Sequence, residues 1–400
     1  MGSDEECSQI TAFFSGCNVL VTGATGFMGK VLVEKLLRSC TDIRAIYLLM
    51  RPKNGSNLED RLREFKANVI FDRLREEGPV GMLDKLTAVN GDVTQIGLGL
   101  SKPDTCKLCS EVNVVFHCAA TVRFDDTDRQ TILLNTRGTQ ELTSLALQMQ
   151  HLKVLVLVST AYSNADRSFI DEVVYPAHED YNYVIKCAEK LEDLELSRLT
   201  TEMMKGLPNT YVFSKSLGEN IVYDQKGKLP AAIFRPSLVC PAYEEPMPGW
   251  VDSKNGPMGV LIGASTGLLR TMRGDGNKKT DLIPVDFAIN AMIAVAWHIA
   301  TTQRLDIPVY NCTTSSQVDV TWNGFLDLGI QEYDKWPLLQ VFWYPGGAIH
   351  CSKLMHLICF FIKQLIPAML LDLVPVSYTH VFQVTDRNIQ QIKYNRIFCE

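Results

Sequence analysis

The chain has 400 residues, with 39 basic against 45 acidic side chains and a net charge of −6. That length suits one large core with an appended region, and the acidic balance excludes a nucleic-acid-binding protein while leaving local basic patches for phosphates. Twelve cysteines are scattered, with Cys106 and Cys109 the one close pair, so neither a disulfide framework nor a metal site is expected.

Residues 1–13 are acidic and polar, lack the basic start and apolar core of a secretory signal, and read as a flexible tail on a cytosol-facing protein. Val19 to Thr22 is a short β-branched run that breaks into three glycines, Gly23, Gly26 and Gly29. It then turns helix-periodic through Val31, Leu32, Leu36 and Leu37. Strand, tight turn and helix start let bare backbone approach a pyrophosphate, whose charge the helix dipole favours. Thr22, Gly23, Thr25, Gly26, Phe27, Met28 and Gly29 are therefore the expected dinucleotide cradle. The next apolar strand, Ile43 to Met50, ends in Arg51-Pro52-Lys53. A site for NAD places a carboxylate roughly 20 residues beyond the glycines; cations there suit a 2′-phosphate, so Arg51 and Lys53 point to NADPH.

Leu58 to Arg75 reads as one long polar helix, followed by a strand, Leu86 to Val89, that leads into Gly91-Asp92-Val93. Asp92, with Val93 beside it, sits at the carboxyl edge of the sheet, where it can accept from an adenine amino group. A further strand, Val112 to Phe116, ends in His117, Cys118, Ala119 and Ala120. The small Ala119 and Ala120 let ribose and nicotinamide lie close to the backbone, whereas His117 and Cys118 read as strand-end packing. Asn135 stands at the start of a periodic helix through Leu142 and Leu145, either as its N-cap or to order a proton-relay water; its neighbours do not decide between the two. The apolar strand Val154 to Val158 delivers Ser159 and Thr160 to the edge where α/β folds place their chemistry.

Ala177 to Gly206 reads as a polar, helical lid or helix pair whose amphipathic face is Tyr183, Val184, Leu191, Leu194 and Leu199. Pro208-Asn209-Thr210 then signals a helix start, which puts Tyr211 and Lys215 four apart on one face. An ammonium one turn away stabilises phenolate and would bring the phenol toward neutral pH, so this pair is the expected acid–base centre; Lys215 can also hold the nicotinamide ribose. Further strands are Ala231 to Phe234 and Val309 to Cys312, with an apolar helix from Ile283-Pro284-Val285-Asp286 to Ala300 between them. Arg270, Arg273, Lys278 and Lys279 surround a Gly-Asp-Gly turn and read as a solvated loop, with contact to the phosphates of a bulky substrate as the alternative. Leu354 to Val376 is very apolar, but Lys363, Pro367, Asp372 and Pro375 keep its uncharged runs below the roughly 18 residues of a clear membrane span. Shallow or re-entrant insertion at a membrane surface fits it better.

These elements predict an α/β fold, a doubly wound parallel sheet of the Rossmann, extended short-chain dehydrogenase type. Residues 14–236 would form the NADPH-binding domain with the catalytic residues. Residues 237–345 would be a smaller substrate-binding region interleaved with the last strands, and 346–400 an apolar, membrane-associated helical segment with a shortened C-terminal domain.

From Phe14 to about Val376 the chain resembles the alcohol-forming fatty acyl-CoA reductases of the insect type. The likeness rests on Thr22-Gly23-Ala24-Thr25-Gly26-Phe27-Met28-Gly29, His117-Cys118-Ala119-Ala120-Thr121-Val122-Arg123-Phe124-Asp125, Val158-Ser159-Thr160-Ala161-Tyr162-Ser163-Asn164, Tyr211-Val212-Phe213-Ser214-Lys215 and Pro284-Val285-Asp286. It implies reduction of a long-chain acyl-CoA by NADPH, through an aldehyde-level intermediate to the primary alcohol with release of CoA. The expected setting is the cytosolic face of the endoplasmic reticulum or peroxisome. Thr160, with Ser159 second, would hydrogen-bond the carbonyl oxygen, Tyr211 donate the proton, Lys215 lower the phenol's pKa, and Asn135 complete the relay. The rivals are a reductase that stops at aldehyde, a sugar-nucleotide epimerase or dehydratase, and a non-catalytic nucleotide-binding protein. Arg51, Lys53 and the apolar segment argue against the epimerase, and the Tyr211–Lys215 pair against the non-catalytic protein.

Overall fold

A computed structural model describes residues 3–52, 57–123, 126–253, 255–302, 306–333, 335–336 and 341–373. The elements begin with α1 (Ser3–Phe14), β1 (Asn18–Thr22), α2 (Phe27–Ser39), β2 (Ala45–Met50), α3 (Leu58–Lys66), α4 (Asp72–Glu77) and β3 (Leu86–Asn90). They continue with α5 (Lys102–Glu111), β4 (Val114–His117), α6 (Asp128–Ile132), α7 (Gly138–Ala146), β5 (Val154–Val158), α8 (Tyr181–Lys190), α9 (Asp193–Met203) and α10 (Thr210–Tyr223). Next are β6 (Ala231–Pro236), β7 (Leu238–Cys240), α11 (Pro257–Ser265), β8 (Thr271–Arg273), β9 (Leu282–Pro284), α12 (Val285–Thr302) and β10 (Val309–Cys312). The last are α13 (Trp322–Tyr333), β11 (Ala348–His350), α14 (Lys353–Phe360) and α15 (Ile366–Leu373).

Residues 1–122, 126–252 and 283–313 form one compact unit, and 123–125, 253–282 and 314–400 another. The first is built on a parallel seven-stranded sheet in the order β3-β2-β1-β4-β5-β6-β10. The order reverses between β1 and β4, which opens the crevice where doubly wound folds bind their ligands. Both faces are covered, so the strands are apolar throughout. Val19, Val21, Ile46, Leu48, Val114, Phe116, Val154 and Val156 face one core with α2 and α12, while Leu20, Tyr47, Leu49, Val115, Leu155 and Leu157 face the other with α5 and α7.

Three expectations change. The proposed flexible tail, residues 1–13, is helical from Ser3, and Phe14 at its end is fully buried in the core. The single helix predicted over Leu58 to Arg75 is two, because Asn68 takes its side chain to Ile70 N (3.1 Å) and turns the chain to bury Ile70 and Phe71. Of the two readings of 177–206 the helix pair stands, as α8 and α9, but its buried face differs: Val184 and Leu196 enter a third core with Phe213 and Leu217 of α10, while Tyr183 and Leu194 are exposed.

In the second unit β8 pairs in parallel with β11, Arg273 opposite His350. The apolar stretch is helical from Lys353 to Leu373, with a π turn at Phe361–Leu365 between α14 and α15. The wider turn falls where Pro367 removes a donor and crowds the preceding turn. Val374 to Val376 lie outside the described residues.

Candidate active site

The chain leaves β1 at Thr22 and turns through Gly23 to Gly26 before α2 begins at Phe27. Gly23 has φ +70°, and a Cβ there would lie 2.6 Å from the Ala119 nitrogen, so only glycine passes the end of β4 in this way. A Cβ at Gly29 would lie 2.3 Å from the Gly23 carbonyl oxygen, and its absence lets the first turn of α2 close on the loop. Thr25 and Gly26 face solvent, while Phe27 and Met28 are half-buried against the core. Gly26 caps α2 without a side-chain hydrogen bond, whereas Asn57, Ser101, Thr127, Asp180, Asn209 and Ser352 each accept from their own helix. The first amides of α2, backed by the helix dipole, therefore suit a dinucleotide's pyrophosphate.

Thr22 is buried, with Oγ1 2.6 Å from His117 Nδ1 and accepting from Ala119 N at 3.3 Å. The other imidazole nitrogen of His117 is 3.1 Å from Thr139 Oγ1. Burial pushes His117 down to about 3, with the Lys215 charge acting in the same sense, and it pushes the Cys118 thiol up to about 12 despite Lys215. Neutral at physiological pH, both are packing groups. Ala119 is buried at this crossing and Ala120 half-buried beside it.

At the far end of the crevice the Arg51 side chain is 67% exposed, with Nη1 3.4 Å from Asp92 Oδ2. Lys53 lies outside the described residues. Burial raises the Asp92 carboxyl, but hydrogen bonds from Thr94 N (2.9 Å) and Oγ1 (2.8 Å) and the Arg51 charge outweigh it and hold the group below its ordinary value. Val93 packs half-buried against the core.

Asn209 caps α10 by accepting from Val212 N at 2.9 Å, so Tyr211, Lys215 and Glu219 follow one another along one face. Three consecutive residues at the end of β5 each take one of these partners. Tyr211 hydrogen-bonds Thr160, Lys215 Nζ donates to Val158 O at 2.8 Å, and Glu219 Oε1 accepts from Ser159 Oγ at 2.5 Å. Ser159, expected to share a substrate oxygen with Thr160, has thus committed its single proton to Glu219. Thr160 is the hydroxyl placed beside the phenol.

The electrostatics also differ from expectation. Burial pushes Tyr211 up to about 12, and the Thr160 hydrogen bond lowers it only in part. Lys215, tied to Val158, is itself brought down to about 8 by burial, with Cys118 and Glu219 acting to raise it. The chain alone therefore holds a protonated phenol rather than one drawn toward neutral pH.

Asn135 is not an N-cap: it sits inside a π turn, Leu133–Arg137, that joins α6 to α7. Its Oδ1 accepts from Thr121 N (3.0 Å) and its Nδ2 donates to Ser214 Oγ (2.9 Å), which donates to Tyr211 O (2.8 Å). The fully buried Arg235 makes a fork to Glu219 (Nε–Oε1 2.8 Å, Nη2–Oε2 2.6 Å) and reaches the carbonyls of Asp171 and Val173 at 3.0 and 2.9 Å. Ser214, Glu219 and Arg235 were not singled out from the sequence. The spacing of Glu219, one turn beyond Lys215, was the available signal; Arg235 gave none, because a strand arginine is ordinarily exposed. No group of three or more His, Cys, Asp or Glu side chains suited to a metal occurs among the described residues.

Residues 21–292 match a family of NAD-binding domains described as male sterility protein. The chain is 42% identical to fatty acyl-CoA reductase 1 of Rattus norvegicus over 365 residues, 91% of this chain and 71% of that one. Among solved structures it is similar to the reductase domain of a nonribosomal peptide synthetase from Mycobacterium tuberculosis (TM-score 0.60, 21% identity, 92% and 84% of the two chains). It is also similar to UDP-glucuronic acid 4-epimerase from Bacillus cereus in complex with NAD (TM-score 0.53, 18% identity, 84% and 88%).

Glu219→Gln leaves the Arg235 guanidinium buried without its counter-charge. Denaturant unfolding should show a loss of about 3–5 kcal/mol. A change below about 1 kcal/mol would mean that the pair's attraction only offsets its own desolvation.

Proposed function

This chain belongs to the fatty acyl-CoA reductase family, and from that premise we propose that it reduces a long-chain fatty acyl-CoA to the primary alcohol, with NADPH as reductant and release of CoA. The observation that carries the reading is the Thr160–Tyr211 hydrogen bond at the carboxyl edge of the sheet, beside an uncapped glycine turn, in a chain so similar to a named fatty acyl-CoA reductase. NADPH, when bound, supplies the hydride. Charge then develops on the thioester oxygen, where the Thr160 hydroxyl and the Tyr211 phenol are the donors. Collapse expels the CoA thiolate and leaves an aldehyde, and a second hydride, from a second molecule of NADPH, turns its oxygen into an alkoxide that Tyr211 protonates. An alkoxide is a stronger base than phenolate, so a phenol at about 12 stays protonated until that moment and still gives its proton up. Lys215 would hold the ribose, and the Asn135–Ser214 link fixes the start of α10 through the Tyr211 carbonyl, with Asn135 assigned to the relay that reprotonates the phenol.

Arg51, exposed at the end of β2 where a carboxylate would serve NAD, supports the choice of NADPH. Lys53 is assigned to the same 2′-phosphate.

The helix from Lys353 to Leu373 is assigned to attachment at a cytosol-facing membrane surface. Leu354 (69%), Ile362 (60%) and Met369 (58%) are all exposed along it, together with Met355, Ile358, Phe361 and Ile366. Among the described residues α12 alone has the length and apolarity of a span, but half of it is buried, and Ile289, Met292, Ala296 and Ile299 pack into the core. The surface helix is the better anchor.

Three outcomes test this reading. Tyr211→Phe should lower reduction of acyl-CoA by about 10²–10⁴-fold with NADPH binding nearly unchanged; near wild-type turnover removes Tyr211 from the mechanism. Arg51→Ala should raise KM for NADPH by about ten-fold and leave KM for NADH unaltered, and equal effects on both would overturn the cofactor assignment. The full chain should sediment with membranes through a high-salt wash, and Ile362→Glu combined with Met369→Glu should release it; unchanged sedimentation would take the attachment away from this helix.

A further inference from the structure

The Pro284-Val285-Asp286 motif has no place in the chemistry above, yet Asp286 is almost completely buried, only 4% exposed. Asp286, in the first turn of α12, accepts three consecutive backbone amides from another part of the first unit: Tyr243 N at 3.0 Å on Oδ1, and Glu244 N at 2.9 Å and Glu245 N at 3.2 Å on Oδ2. The segment so held, residues 241–252, closes on itself through Gly249 N to Ala242 O (2.8 Å) and Ala242 N to Trp250 O (3.1 Å).

Its side chains then follow α2 toward the glycine turn. Glu245 pairs with Lys35 and with Arg38 (Nη2–Oε2 3.1 Å) on the far half of the helix. Trp250 stacks on Phe27 (ring centroids 5.5 Å apart, 26° between planes), and Asp252 pairs with Lys30 in the first two turns. Phe27 follows the Gly26 cap directly, so the last contacts of the segment fall on the end of α2 whose amides would hold the pyrophosphate.

We propose that residues 241–252 are a strap that sets the position of α2 and of its phosphate cradle, and that Asp286 is the positioning residue that locks the strap. This rests on the dinucleotide site proposed above. Three amides converging on one carboxylate need two anionic oxygens. Asparagine offers one oxygen, and its NH₂ faces a donor in either orientation, so Asp286→Asn leaves at least one of the three strap amides without its acceptor while nearly conserving shape. The effect travels through backbone and ring stacking, since among the described residues the Asp286 carboxylate bonds only the strap amides.

The test uses the full-length chain, with NADPH fluorescence for binding and NADPH-dependent acyl-CoA reduction for turnover. Asp286→Asn should raise Kd and KM for NADPH by about ten-fold, with kcat within about two-fold and KM for acyl-CoA unchanged. Glu245→Gln, which weakens only the strap's pairing with Lys35 and Arg38 and whose side chain is partly exposed, should shift Kd in the same direction by less. The double variant should be no worse than Asp286→Asn, because both act through one element. Unchanged NADPH affinity in Asp286→Asn alongside a lower unfolding midpoint, or additive effects in the double variant, overturns the inference and leaves Asp286 a stabilising contact. Should Asp286→Asn fail to fold, unchanged NADPH affinity in Glu245→Gln overturns it alone. Absence of NADPH binding by the wild-type chain would defeat both this and the proposed cofactor, which separates that failure from failure of the strap.

Discussion

The buried fork between Arg235 and Glu219 is the contact on which the rest of the site depends. It ties α10 to β6 with both charges out of water, an arrangement tolerable only because the remaining guanidinium donors find the Asp171 and Val173 carbonyls. With the helix pinned there, its 3.6-residue repeat brings Lys215 to Val158 and Tyr211 to Thr160 one turn at a time. Ser159 and Thr160 meet successive turns of α10, the first bonded to Glu219 and the second to Tyr211, so one hydroxyl is consumed in holding the helix and the next stands beside the phenol. A neighbour pair that looks interchangeable in the sequence is divided by the partner each one meets.

The same burial decides the acid–base character of the pair. A charged lysine beside an exposed phenol would stabilise phenolate, which suits a base that collects a proton from an alcohol. In this site desolvation is the larger effect on both groups, raising Tyr211 and lowering Lys215, and the outcome is a proton donor in reserve. That polarity matches reduction, where the demand for a proton follows hydride arrival. The ammonium, 2.8 Å from the Val158 carbonyl, keeps donors available for a ribose along the same edge.

How much could be read beforehand follows from which forces were local. The parallel sheet was legible because a strand buried on both faces must be a short, continuous apolar run, and the glycine turn because Gly23 and Gly29 have no substitutes where backbone meets backbone. Tyr211 and Lys215 were legible because helical spacing and an N-cap stand next to them in sequence. What escaped was set by contacts distant along the chain. Asn135 in a π turn and Ser159 turning to Glu219 each depend on a partner or a packing demand that no local pattern displays, whereas Asn68 breaks a polar helix through a bond from Ile70 N only two residues on. Asp286 stood out as part of a motif, yet its three amide partners lie more than one element away.

The interleaving of the two compact units sets the order in which this chain can be completed during synthesis. β6 is translated well before its neighbour β10, and the stretch between them contributes to both units. Until β10 arrives, β6 is an open apolar edge with unpaired backbone groups, the kind of surface that recruits wrong partners. α12 also emerges late, so the core face it covers stays bare on the nascent chain. The first unit therefore cannot finish folding until residue 313 has been made, after residues 253–282 of the second have already emerged. A truncation before residue 313 would not yield a smaller nucleotide-binding protein but an incomplete sheet.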